Sequence, residues 1–371
     1  LEIARQLTNR LNFSCELRYL YGSRLSLNRA TIERCDEHWI WSPLSKFCSL
    51  EYLFARLGIR QDEVINDLDE LGFTASDWHR SLTPEEVQRL RSAFDQTPVK
   101  ELIFEKTGCR RQLLDKYLSQ EGLLDSDRKG VVDLGWAGSM YSALSRLVNA
   151  QGGSPLAGFY FAKNRSPGID LECQRLEAYF FDERVSQGFL DNTIKDALEL
   201  FCSADHGTAL GYEEGSGGVH PVLEKGTHQS IIDWGLPVLR KTVDCFVENL
   251  LLDPSLTNIH ADTRSCAAAV FEAFWLDPSA SEAAAWGDLP WDNHLPHSDG
   301  KQLSWAERYE WKHVLKFLRD GKYPRHHSHS WIRGSTVRSP PSIQKALKYT
   351  ASFKRRGLKG SLREMLKSRI G

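Results

Sequence analysis

The chain has 371 residues, 41% of them hydrophobic and 26% charged, with a formal net charge of −2; this is enough apolar material for a sizeable core in one large domain or two smaller ones. That composition excludes a disordered chain, and the absence of a signal-peptide pattern and of any apolar run near ~18 residues argues against export and membrane spanning, so a cytosolic protein is expected. The charge is uneven: from Trp331 onward eleven Lys/Arg stand against Glu364 alone, giving a tail of +10 on a remainder of −12. The eight cysteines show no C-x-x-C pair and no zinc-site spacing, which predicts reduced, buried thiols.

Leu1 to Asn12 reads as a helix entered midway, as in a mature product or a domain cut from a longer protein. Leu17 to Tyr21 has the aromatic content of a strand, stops at Gly22-Ser23-Arg24, and leads into a helix from Leu25. Apolar spacing predicts helices over Ser49 to Leu57 and Asp62 to Leu71, each closed by a glycine. Thr83-Pro-Glu-Glu86 is an N-terminal helix signature, Pro98 restarts a helix, and another covers Arg110 to Leu118.

The organising stretch is Lys129 to Tyr141. Val131, Val132 and Leu134 form a short apolar strand, Gly135 and Gly138 bracket a loop, and Ser139 is placed to cap a helix through Leu144, Leu147 and Val148. A second apolar run, Leu156 to Ala162, completes a βαβ unit. Such a turn presents backbone N–H groups and a helix N-terminus to an anion; the alternative is that its glycines serve only close packing. Strands are expected over Glu177 to Phe181, Thr208 to Tyr212 and Val219 to Leu223, with helices over Asp191 to Phe201, Ser230 to Leu252, Ala261 to Trp275 and Trp305 to Leu318. The predicted fold is α/β, a Rossmann-like, mostly parallel sheet with helices on both faces, a helical insertion and a largely helical C-terminal part. Its segments are a first strand-helix unit (1–48), the helical insertion (49–128), an α/β donor-binding core (129–224), a helical C-terminal part (225–330) and a basic amphipathic tail (331–371).

A sugar-phosphate or diphosphate ligand needs backbone donors, a fixed cation and a carboxylate. The loop through Gly135, Trp136, Gly138 and Ser139 offers the donors, Ser23 and Arg24 the polar and cationic group, and Asp133 the carboxylate at a strand end. These groups converge if the strands ending at Arg24 and Asp133 are neighbours; otherwise Arg24 is a surface ion-pair residue. Glu199 and His206 are further candidates, His206 for acid/base work or phosphate binding and Glu199 as a carboxylate; against them stand a solvated helix face and a packing histidine. No metal site is assigned: Asp125-Ser-Asp127 precedes its strand, Asp67-Leu-Asp69 lies in a helix pattern, and His326-His-Ser-His329 lacks an acidic or Cys partner.

From Pro340 to Ile370, leucines and Phe353 alternate with Lys and Arg as in a basic amphipathic helix. An anionic membrane surface ranks first as its partner, packing on the acidic body second and nucleic acid third, because no second basic face is present for a duplex.

Tyr19-Leu-Tyr-Gly-Ser-Arg24, Val132-Asp-Leu-Gly-Trp-Ala-Gly-Ser139 and the segment Glu199 to Tyr212 together resemble the glycan phosphoribosyltransferase half of bacterial dual-domain ribofuranosyltransferases, in which a haloacid-dehalogenase-like phosphatase domain accompanies the transferase. The resemblance implies transfer of 5-phosphoribose from 5-phosphoribosyl 1-diphosphate to a glycan during surface polysaccharide (O-antigen or capsule) assembly. It implies a lipid-linked glycan acceptor, a place at the inner face of the cytoplasmic membrane, and a phosphatase partner or domain to remove the 5-phosphate, whose signature, an Asp-x-Asp following an apolar strand, this chain lacks. Asp133 or Glu199 would then stabilise an oxocarbenium-like transition state or take the acceptor proton, with Mg²⁺ admitted as the sole cofactor. A conventional sugar-nucleotide glycosyltransferase and a non-catalytic glycan- or partner-binding scaffold are the alternative readings, and no nucleic-acid partner is expected.

Overall fold

The computed structural model describes residues 1–41, 49–94, 98–125, 127–164, 175–182, 194–204, 206–225, 229–250, 263–291, 303–323, 325–326 and 330–350. Cys48, Cys173, the 292–297 loop, His327 to His329 and the tail beyond residue 350 lie outside the described residues. The chain is mixed α/β and divides into two compact units, one of residues 1–188 and 204–227, the other of 189–203 and 228–371.

The first unit begins with helix α1 (Glu2–Arg10), α2 (Arg24–Ala30) and the short α3 (His38–Trp41). Helix α4 (Leu50–Leu57) buries Leu50, Leu53, Phe54 and Leu57 at helical spacing, is capped by Ser49, whose Oγ accepts from the Tyr52 N–H, and stops at Gly58. The continuous helix expected over Asp62 to Leu71 is broken: Val64 adopts φ −135°, leaving only α5 (Ile65–Leu68) between two 3₁₀ turns. Helix α6 (Pro84–Ala93) starts on the Thr83 capping box, and Pro98 opens one long α7 (Pro98–Gln120) in place of two shorter helices. Ile32, Phe54, Trp78, Leu90 and Ile103 share one apolar core, so the helical insertion packs largely on itself.

The α/β core follows. Strand β1 (Gly130–Asp133), helix α8 (Ser139–Ala150), β2 (Ala157–Lys163) and β3 (Leu176–Asp182) make a three-stranded parallel sheet of order β1-β2-β3, flanked by helices. Tyr141, Leu144, Leu147 and Val148 of α8 pack beneath it with Tyr160, Leu176, Leu27 and Tyr117, while Val132 on the opposite face of β1 stays 83% exposed. Helix α9 (Ile194–Phe201) belongs to the second unit, and the chain returns to the first as an antiparallel hairpin of β4 (Ala209–Gly215) and β5 (Gly218–Leu223), with Tyr212 and Val219 in the α8 core.

Leu17–Tyr21 is not a strand. Two tyrosine hydroxyls take the place of a ladder: the Tyr21 N–H donates to Tyr117 Oη at 3.0 Å, and Tyr212 Oη donates to the Tyr21 carbonyl at 2.7 Å. The end of the segment is thus pinned to α7 and β4, with both backbone groups of Tyr21 taken by side chains and not by a neighbouring strand.

In the second unit, Gly235 at φ +139° splits the expected long helix into α10 (Gln229–Trp234) and α11 (Leu236–Leu250). There follow α12 (Arg264–Leu276), α13 (Ala280–Gly287), a short antiparallel pair β6 (Pro290–Trp291) and β7 (Leu303–Ser304), α14 (Trp311–Asp320) and α15 (Ile332–Arg338). Trp275, Trp305 and Trp331 meet at 5.0 to 5.5 Å in its core, and the Trp331 indole N–H donates to the Trp275 carbonyl. Trp305 is therefore a core residue ahead of α14, not its first turn. Residues 341–350 are helical, and their Ile343 and Leu347 pack against Val314 and Phe317 of α14. Among the described residues no helix is long and apolar enough to cross a membrane. Of the described cysteines only Cys35 is buried; Cys15, Cys109, Cys202, Cys245 and Cys266 form no disulfide among the described residues and are exposed, because their helix or loop positions face outward.

Candidate functional site

Asp133 ends β1 at the carboxyl edge of the sheet, directly opposite Tyr160 in the β1–β2 register. Burial pushes its carboxyl above the usual range, opposed by a hydrogen bond from the Tyr160 hydroxyl, by the Leu134 and Gly135 N–H groups and by the nearby charge of Arg24. Tyr160 is itself buried, and desolvation with the adjacent Asp133 charge raises its pKa, which keeps it a donor.

The loop that follows is clamped to β2. The Ala162 N–H donates to the Leu134 carbonyl at 3.3 Å and the Asn164 N–H to the Trp136 carbonyl at 2.9 Å. Trp136 is buried, and the Gly135–Trp136 peptide is cis. Because the Gly135 N–H serves Asp133, the anion-facing donors begin later in the loop than sequence spacing implied. Helix α8 starts at Ser139, and the cap position is Gly138, at φ +79° and without a side chain to accept from the first turn. Ser139 is the first helical residue and not the cap. With no side-chain cap on this turn among the described residues, its amides and the helix dipole favour a negative group.

Arg24 comes to this place by a route other than strand pairing. Gly22 runs beside α8, close enough that a Cβ built on it would lie 3.8 Å from Met140 Cε. Arg24, the first residue of α2, is exposed, makes no hydrogen bond or ion pair among the described residues, and is near enough to Asp133 and Arg56 to act on both charges. Arg56 was not foreseen. It sits over the Trp39 and Tyr52 rings at 5.3 and 5.8 Å, donates to the Trp39 carbonyl, and is lowered in pKa mainly by burial. Arg29 beside it is lowered to about 10 by burial and by the charges of Arg110 and Arg56; both Arg29 and Arg110 are spent on the carbonyls that end α4. In sequence Arg56 looks like one more cation in a helix's last turn, and only the fold shows that no carboxylate pairs with it among the described residues.

Ser23 has a structural task. Its Oγ accepts from the Leu25 and Ser26 N–H groups at 3.1 and 3.0 Å and donates to the Ala209 carbonyl at 2.5 Å, which caps α2 and ties it to β4. Ser23→Ala should destabilise the first unit by about 1–2 kcal/mol in a denaturant titration, as loss of an N-cap does.

His206 lies in the first unit but joins an aromatic group: its ring is 4.8 Å from Tyr21 and 5.5 Å from Tyr19. Nδ1 faces the Gly207 carbonyl at 2.8 Å, so it carries the proton, and Nε2 accepts from Tyr19 Oη at 3.0 Å. His206 thus braces the segment leading to Arg24. Glu199 is exposed on α9 and belongs to the second unit, because neighbouring Leu200 packs with Leu236, Trp275 and Trp305. Sequence reasoning also missed Lys163, fully buried at the end of β2 with its Nζ 3.0 Å from Asp182 at the end of β3. A lysine closing an apolar strand run is a signal that could have pointed to the carboxyl edge of the sheet.

No protein-family model matches the chain, and a comparison with curated proteins finds no match.

Proposed function

We propose that the first unit binds a sugar donor with a diphosphate leaving group and transfers the sugar to a glycan acceptor, as a glycosyltransferase of surface polysaccharide assembly. 5-Phosphoribosyl 1-diphosphate is the preferred donor, with the resemblance of the Tyr19–Arg24 and Val132–Ser139 motifs as its support. One observation carries the reading: an exposed, uncommitted Arg24 and the uncapped first turn of α8 lie around a partly buried carboxylate, Asp133. Arg56 adds a second cation without an acidic partner among the described residues, which suits a donor with phosphate at both ends. Asp133 is suited to stabilise positive charge developing at the anomeric carbon or to take the acceptor's proton. Among the described residues no three His, Cys, Asp or Glu side chains gather as metal ligands, and any Mg²⁺ would arrive bound to the donor's own diphosphate oxygens. The lipid-linked acceptor, a place at the inner face of the membrane and a phosphatase acting on the product belong to the same proposal.

The test is ligand protection of the first unit's melting transition by 5-phosphoribosyl 1-diphosphate, inorganic diphosphate and sugar nucleotides, each with and without Mg²⁺. Protection by the phosphoribosyl donor, weakened about 10- to 100-fold in Kd by Arg24→Ala through loss of a charge-assisted contact, is the expected result. Preference for a sugar nucleotide would transfer the site to that donor class. No protection by any of them at millimolar concentration would sink the transferase reading.

A further inference from the structure

Helix α14 shows two apolar faces, and only one is covered. Val314 and Phe317 point inward to Tyr309, Ile343 and Leu347. Trp311, Leu315 and Leu318, spaced four and three residues apart, form a second row that is 57%, 64% and 47% exposed. One position further on, and so about 100° around the helix, Lys312, Lys316 and Arg319 form a parallel exposed row. Lys312 pairs with Glu310 at 2.9 Å and Arg319 with Asp320 at 2.6 Å, both in solvent where such pairs hold little energy; Lys316 has no acidic partner among the described residues. The excess charge continues on either side: between Leu303 and Thr350 ten Lys/Arg stand against Glu307, Glu310 and Asp320.

We propose that this outer face of α14 docks on an anionic lipid surface, with Trp311, Leu315 and Leu318 entering the headgroup boundary and Lys312, Lys316 and Arg319 meeting the acidic headgroups. An apolar row rich in Leu and Trp beside a basic row is the chemistry that an interfacial helix needs, apolar burial plus about 1 kcal/mol per cation near the headgroups. A second copy of the chain docked antiparallel fits worse: that two-fold contact through the same stripe would bring the two basic rows to one side, where like charges cost stability. Leu347, the first leucine of the tail's apolar pattern, is 0% exposed and spent on the inner face of α14, so it takes no part in a lipid-facing stripe. The inference does not rest on the donor chemistry of the first unit, and the two fail separately.

The experiment is co-sedimentation of the full chain with vesicles of mixed phosphatidylglycerol and phosphatidylcholine, and with phosphatidylcholine alone. Binding to the anionic vesicles should exceed binding to the neutral ones, and Trp311→Ser/Leu315→Ser/Leu318→Ser should weaken it on the order of tenfold or more. Lys312→Glu/Lys316→Glu/Arg319→Glu should abolish the preference for anionic lipid. Both variants change exposed side chains, so circular dichroism and the melting transition should stay as in the parent chain, and donor protection should be unaffected. Equal binding by the Ser variant, or no vesicle binding by the parent, would overturn the proposal. So would a dimer in light scattering that the Ser variant dissociates without any vesicle binding, which would assign the face to a second copy.

Discussion

Asp133→Asn should lower glycosyl transfer about 10²- to 10⁴-fold while leaving donor affinity unchanged or tighter. The two effects separate because the carboxylate has opposite relations to the two events. Its charge would oppose the donor phosphates proposed to sit at Arg24 and the α8 turn, yet it would favour a transition state that gains positive charge at the sugar. Asparagine keeps an oxygen that can accept from the Leu134 and Gly135 N–H groups, and the Tyr160 hydroxyl can turn to accept from the new amide N–H, so the fold should survive. The pH dependence follows from the raised carboxyl. A carboxylate lifted by burial binds its proton more tightly when folded, so it contributes stability below its unfolded pKa and loses that contribution as pH rises through the folded value. The activity that needs the charged form therefore fades at a higher pH than for an ordinary aspartate. Tyr160→Phe removes a hydrogen bond that holds the value down and should move the acid limb further up. A pH–rate profile of the parent and Tyr160→Phe chains decides it; an unchanged or downward-moving limb would mean that Asp133 does not govern the rate.

What could be read from the sequence was mostly local. The Val131 to Ser139 pattern, with two glycines and a helical stripe behind it, is satisfied within some twenty residues, and there β1, α8 and β2 formed where spacing put them. Asp133 and Arg24 were visible as polar groups at element ends. Their partners were not. Tyr160 meets Asp133 through strand register, and Arg56 reaches Arg24 through the packing of α4 beside α2, neither of which has a mark in the primary structure. Leu17–Tyr21 has the composition of a strand, but its tyrosines are there to bond and pack: Tyr19 and Tyr21 hold His206, and the Tyr21 backbone is taken by Tyr117 and Tyr212. Glu199 sits inside the 189–203 span by which the chain leaves the first unit for the second, an assignment that only long-range contacts of Leu200 and Phe201 report. Amphipathicity was the least decisive signal of all. The apolar face of a basic helix reads alike whether it meets lipid or protein, and in residues 341–350 it met protein, while the apolar residues of α14 that look like core in sequence divide between core and surface.

Gly135→Ala should unfold the first unit more readily than any other change at the site, by about 3 kcal/mol or more. Two independent costs combine. Gly135 has φ +137°, a region that an L side chain enters at about 1–3 kcal/mol, and a Cβ there would fall inside the van der Waals radius of the Ala162 carbonyl oxygen. Overpacking adds about 1–3 kcal/mol where the neighbour cannot yield, and here it cannot. The obstacle is backbone, and the loop is held to β2 by Ala162 N–H on one side of Gly135 and Asn164 N–H on the other. At about 2–4 °C per kcal/mol for a unit of this size, the melting transition should fall on the order of 10 °C. Gly152→Ala supplies the comparison: Gly152 also has positive φ, at +73°, but a Cβ there meets nothing within 4 Å, so only the conformational cost remains. If the two alanine variants melt alike, the clash with Ala162 carries no weight. If Gly135→Ala falls well below Gly152→Ala, the loop that leads to the α8 turn and Arg24 is held open by the absence of one methyl group, and no side chain could have built that turn.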